Sequence, residues 1–202
     1  MPQQLHLVHG IRAKDKGAQS MGKLGKLLSR ALPKVFLVSY GYVLIPITNK
    51  KAVKAIINSL NKNKDKQDEV VIVAYSNGCW AAIQVAEMGH KIDHLVLISP
   101  ALHRSHAIPE QVKRVDVYYS EGDTIVELGG LYRRIINLMP WNWKMFGDPH
   151  EWGAMGRYGY QGNDPRVHNW NMGEDVSHFW YKNRLIVRGI ADQLLILYEK
   201  KR

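Results

Sequence analysis

The sequence predicts an α/β fold, with about six mostly parallel strands flanked by helices on both faces. Three observations carry this expectation. Short apolar runs alternate with longer segments of helical period along the whole chain, and strands separated in this way need crossovers, which make a sheet parallel. The run Val70-Val71-Ile72-Val73 is β-branched without a polar interruption, as in a strand covered on both faces. Between Asn49 and Lys66, one stripe carries Val53, Ile56, Ile57 and Leu60 while lysines occupy the remainder, the pattern of a helix with one buried face.

Taken in order, Leu5 to Gly10 reads as a first strand stopped by glycine. Met21, Leu24, Leu28 and Ala31 recur at helical spacing within Gly17–Leu32, and Pro33 ends that run. Val35 to Val38 is a second strand, followed by the lysine-rich helix. The β-branched run leads into a helix from Gly78 to about Gly89. His94 to Pro100 and Val115 to Tyr119 read as further strands, and a helix is expected from Asp123 to about Leu138. Neither period is visible between Met139 and Gly162, where Trp141, Trp143, Phe146, Trp152, Tyr158 and Tyr160 mix with glycines and prolines. A weakly alternating strand at 166–172 and a final helix from about Phe179 complete the chain.

At 202 residues the chain is expected to be one domain, 1–202, with an irregular insert at 139–165. Hydrophobic residues make up 46% and charged residues 23%, which argues against disorder, fibres and repeat arrays. The start Met1-Pro2-Gln3-Gln4 lacks the pattern of a secretory signal, and no stretch approaches eighteen consecutive apolar residues. A cytoplasmic location without a transmembrane segment is therefore expected. The single cysteine, Cys79, cannot form an intramolecular disulfide and suits a small apolar filler. The formal charge of +10 is concentrated in the lysine-rich helix and the Lys200-Lys201-Arg202 tail. A wet helix face accounts for the first, so no nucleic-acid partner is expected.

The chemistry centres on Ala74-Tyr75-Ser76-Asn77-Gly78. Ser76 falls at an abrupt strand-to-helix turn, where its hydroxyl stands clear of the sheet at the positive end of a helix. The backbone N–H of Asn77 can there face an oxygen that becomes negative during acyl transfer. Such a nucleophile elbow is usually spelled Gly-x-Ser-x-Gly because the turn leaves little room on either side of the serine. Ala74 departs from that spelling by one methyl group. The plainer reading is a serine that caps the helix.

A serine nucleophile needs a base and a carboxylate to orient it. In a parallel sheet these come from the carboxyl ends of strands. Asp123 lies in the loop after Val115–Tyr119, with Glu121 as a second acid, and His178 lies after the last strand. His150 and His168 compete with His178, but one sits in the irregular region and the other inside the expected strand. Asp164, His168 and Glu174 show no recognisable ligand spacing, so no metal is expected. The chain order Ser76, Asp123, His178 is that of three strands each delivering one group.

With these residues in place, the chain resembles a small α/β-hydrolase of the lipase and esterase type over nearly its whole length. The resemblance runs from His9-Gly10 through the elbow and Gly122-Asp123-x-x-Val126 to His178, without the family's first two strands. It implies hydrolysis of an ester, thioester or amide of a small molecule, without cofactor. It also implicates the backbone N–H of Ile11 as a second oxyanion donor, with His9 and Gly10 supporting that loop. Many relatives carry a cap after the preceding strand, whereas 101–114 is short here. The 139–165 insert is therefore a candidate lid, acyl pocket or sugar-stacking platform, or else a satellite core. A catalytically silent binding protein and an acyltransferase using the same triad are the alternative functions. Hydrolysis by this route predicts a loss of activity as pH falls through the ordinary imidazole range, near ~6.5.

Overall fold

Six strands, β1 (Gln3–Val8), β2 (Val35–Val38), β3 (Glu69–Tyr75), β4 (His94–Ile98), β5 (Val115–Tyr119) and β6 (Val167–Asn171), form one sheet in the order β2-β1-β3-β4-β5-β6. Every pairing is parallel. The structure, a computed structural model, describes residues 3–10, 15–40, 50–63, 68–125 and 154–199. Among these residues, no helix is long and apolar enough to cross a membrane.

Side-chain alternation on β3 explains the two layers of core. Val71, Val73 and Tyr75 face α1 (Met21–Leu28) and the C-terminal helix, where Met21, Leu24, Leu28, Ile190 and Leu194 cover them. Ile72 and Ala74 face α2 (Lys50–Lys62) and α3 (Asn77–Glu87). On α2, Ala52, Ile56 and Leu60 recur every fourth residue and are buried, whereas Lys50, Lys51 and Lys54 are exposed. Each such aliphatic side chain contributes roughly 1.5–3 kcal/mol by leaving water. Cys79 is wholly buried on the inner side of α3, and its thiol donates to the Ala74 carbonyl at 3.3 Å.

The helix boundaries differ from the sequence expectation at three places. Helix α1 begins at Met21 rather than Gly17, because the Asp15 carboxylate accepts the N–H groups of Gly17 and Gln19 and folds a turn there. Lys16 and Gly17 both have positive φ in that turn, which a continuing helix does not allow. Within the 139–165 segment, Met155–Tyr158 forms a single helical turn, α4. Its Met155 and Gly156 N–H groups donate to Leu102 and Pro100 at the carboxyl edge of the sheet. Helix α5 spans Arg184–Glu199 and is preceded by a 3-10 turn at Trp180–Lys182. The Asn183 carboxamide oxygen accepts the Leu185 N–H at 3.0 Å, which sets the start of the helix. Of the helix expected after Asp123, Thr124 and Ile125 are described and are helical; the remainder and the aromatic residues of 139–153 lie outside the described residues.

A buried polar hub joins β4, β5, β6 and α5. The Asp116 carboxylate takes hydrogen bonds from His94 Nε2 at 2.6 Å, from Trp170 Nε1 at 3.1 Å and from Arg114. Tyr198 on α5 meets the other nitrogen of His94 at 2.8 Å. Burial by itself would raise the Asp116 pKa, but these donors outweigh it and hold the carboxyl down to about 2.

Candidate active site

The register aligns the carboxyl ends of the strands. Val8 pairs with Ala74, Tyr75 with Ile98, Ile98 with Tyr118 and Tyr119 with Asn171. Loops carrying His9-Gly10, Ser76, Asp123 and His178 therefore leave one edge of the sheet together.

Ser76 follows β3 directly and adopts φ 55° and ψ −125°. A non-glycine residue with positive φ is strained, at a cost of order 1–3 kcal/mol. Close packing enforces the turn. A Cβ placed on Gly78 would lie 2.6 Å from the His9 carbonyl oxygen and 3.1 Å from that of Val8, so only glycine lets α3 start this near the end of β1. A Cβ on Gly10 would lie 3.0 Å from Ser76 Cβ. Ala74, in the position usually held by glycine, is fully buried against α3 without disturbing the elbow.

The Ser76 hydroxyl does not cap the helix. It lies 3.0 Å from His178 Nε2, and His178 Nδ1 lies 2.8 Å from Asp123 Oδ2 and 3.1 Å from Oδ1. Since a carboxylate can only accept, Nδ1 carries the proton and donates it to Asp123. Nε2 is left to accept from the serine. Asp123 is fully buried, and Ser76 and His178 are each 7% exposed. Glu121 points to solvent, His168 is exposed on β6, and Asp164 is held by Arg166 at 2.6 Å. His150 lies outside the described residues.

Two aromatic side chains brace the site. The Tyr75 hydroxyl donates to the His178 carbonyl at 3.0 Å while its ring lies 5.1 Å from the imidazole. Burial raises the Tyr75 pKa well above its ordinary value. His9 stacks on Tyr40 with ring centroids 4.0 Å apart, and the Tyr40 hydroxyl donates to the His9 carbonyl. His9 Nδ1 donates to the Gly10 carbonyl at 2.7 Å, and burial lowers the pKa of the imidazole. His9 thus shapes the turn beside Ser76. Asn77 opens α3, where first-turn N–H groups point away from the helix body; Ile11 lies outside the described residues.

Several supporting features are not readable from spacing. Gly122 approaches the loop before His178 so closely that a Cβ would lie 2.2 Å from the Glu174 carbonyl oxygen. Ser120, at the end of β5, is buried and hydrogen-bonded to that same loop. Only the Ser120-x-Gly122-Asp123 sequence hints at a tight turn.

No family model matches the sequence, and no curated protein matches it. Solved structures do. The mouse α/β hydrolase domain-containing protein 10 superposes with a TM-score of 0.63 over 98% of this chain and 90% of its own, at 12% identity. An esterase from Pyrococcus furiosus gives 0.60 over 98% and 82%, at 13% identity. The fold is the α/β-hydrolase fold. A serine hydrolase without a lid from Xanthomonas campestris, 13% identical, shares the α/β-hydrolase fold at a TM-score of 0.58, over 98% of this chain and 84% of its own. Within this fold, Ser76 lies between β3 and α3, and Asp123 and His178 follow β5 and β6, the next-to-last and last strands.

Proposed function

We propose that the protein is a serine hydrolase that cleaves a carboxylic ester or thioester of a small molecule through an acyl-enzyme. The observation that carries this reading is the continuous hydrogen-bonded line from Ser76 Oγ through the His178 imidazole to the buried Asp123 carboxylate. The esterases and serine hydrolase among its fold neighbours support the same reaction class.

In this mechanism Ser76 Oγ attacks the substrate carbonyl as its proton passes to His178 Nε2. Asp123 keeps the proton on Nδ1 and stabilises the imidazolium that forms. The carbonyl oxygen becomes an oxyanion held by the backbone N–H groups of Asn77 and Ile11. One such donor is worth roughly 3 kcal/mol in the transition state. Collapse of the tetrahedral intermediate expels the alcohol or thiol, which takes the proton from His178. Water then enters, gives a proton to His178 and attacks the acyl group, and the acid leaves as Ser76 recovers its proton. Every step uses groups of the chain itself and water.

The test is labelling with a fluorophosphonate probe, adduct mapping by mass spectrometry, and turnover of short and long acyl esters. Wild-type protein should label at Ser76, and Ser76→Ala and His178→Ala should not. Ester turnover in Ser76→Ala should fall at least roughly 1,000-fold. A folded wild type that neither labels nor turns over any ester would refute the assignment.

A further inference from the structure

The Asp123–His178 contact joins two loops that leave different strands, β5 and β6. Ser120 bonds across from one to the other. This residue is wholly buried at the end of β5, three residues before Asp123. Its Oγ lies 2.6 Å from the Gly173 carbonyl oxygen and 2.5 Å from that of Val176, and it accepts the Gly122 N–H at 3.1 Å. A hydroxyl has a single proton, so it serves the two carbonyls together or in turn. Gly173 and Val176 bracket the bend that ends at His178, two residues beyond Val176.

The backbone of Ser120 is engaged as well. Its carbonyl accepts the Asp123 N–H at 2.9 Å, and its N–H donates to Gly156 at 3.0 Å. One residue therefore closes the turn that presents the carboxylate and grips the bend that presents the imidazole. The missing Cβ of Gly122 permits the close approach, since the nearest carbonyl would stand 2.2 Å from it.

We propose that Ser120 is a positioning residue, whose hydroxyl sets the Asp123–His178 separation and through it the alignment of Nε2 on Ser76. As a statement about rate it rests on the hydrolase reading above; as a statement about geometry it does not. Errors of about 1 Å in such an alignment cost up to 100-fold in rate. Ser120→Ala should accordingly lower kcat about 10- to 100-fold with KM unchanged.

The decisive experiment pairs that kinetic split with proton NMR of the far-downfield resonance of a histidine Nδ1–H bonded to a carboxylate, assigned through its loss in His178→Ala. In Ser120→Ala the resonance should broaden or move upfield. Ile56→Val, on α2 at the opposite face of the sheet from α5, is the control for simple loss of stability and should leave the resonance and kcat in place. Should Ser120→Ala fail to fold, Ser120→Cys, which keeps a weaker donor of similar size, is expected to fall between wild type and that limit. A folded variant of either kind with wild-type resonance and kcat overturns the proposal, whatever its melting temperature. A wild-type protein that shows the resonance but no ester turnover refutes the hydrolase reading, and the resonance in Ser120→Ala then decides the positioning role alone.

Discussion

The strained backbone at Ser76 predicts an inverted order of stability between two variants that lack its hydroxyl. At most sites glycine is less stable than alanine by about 0.5–1 kcal/mol, because it loses more freedom on folding. At φ 55° and ψ −125° a side chain costs about 1–3 kcal/mol that glycine does not incur. Ser76→Ala and Ser76→Gly both lose the hydrogen bond to His178, so that contribution cancels between them. Subtracting the glycine penalty and up to ~0.8 kcal/mol for the buried methyl that alanine keeps leaves Ser76→Gly ahead by about 1 kcal/mol. For a chain of this size that is a rise of roughly 2–4 °C in melting temperature. Thermal unfolding of the two variants side by side, with urea midpoints as a second measure, reads the difference. If Ser76→Ala melts at or above Ser76→Gly, the elbow is not strained in the way its dihedral angles indicate.

Gly78→Ala should destabilise the protein by about 1–3 kcal/mol, read from urea midpoints, because the new methyl meets backbone oxygens that cannot move aside. Tyr75→Phe keeps the ring beside His178 but strands its carbonyl; stability should drop by about 1 kcal/mol and ester turnover several-fold, in chemical denaturation and steady-state kinetics respectively. Acid should act in two windows. Burial lowers the His6 pKa to about 4, so between about pH 6.5 and 4 the unfolded chain takes up this proton and the native one does not. Stability then falls with falling pH, by on the order of 3 kcal/mol in full; His6→Gln should flatten that part of a urea-midpoint profile. Asp116 is held down to about 2, so its contribution is complete above about pH 4 and is lost as pH falls from there towards 2; Asp116→Asn should remove that second slope.

How much was legible in the sequence depends on whether the information is local. The β-branched run of β3 and the striped lysine helix announce the layers because period and burial are properties of a few neighbouring residues. Ser76, Asp123 and His178, which the structure brings together, could each be picked from their place just after a strand. The contacts of Ser120 and Gly122 could not, since their partners lie more than fifty residues away and are main-chain carbonyls without a residue signature. Tyr75 stands in the Ala74–Gly78 motif, but its hydroxyl contact behind His178 depends on a path that only the fold defines. The late start of α1 was hidden because an apolar stripe does not reveal that Asp15 diverts the chain first. Helical order at Met155–Tyr158 was masked by glycines that read as irregular.

Cys79 gives this architecture a built-in clock. It is the sole thiol of the chain, sits three residues beyond Ser76, and has no exposed surface, while burial pushes its pKa far up. A thiol so enclosed reacts only when the packing around it opens, locally or by global unfolding. Reaction with an excess of disulfide reagent in native buffer therefore reports how often that packing opens, with no denaturant and no substrate. Applied to the variants above, that count distinguishes a site that is misaligned within a closed fold from one that is lost because the fold itself breathes more often.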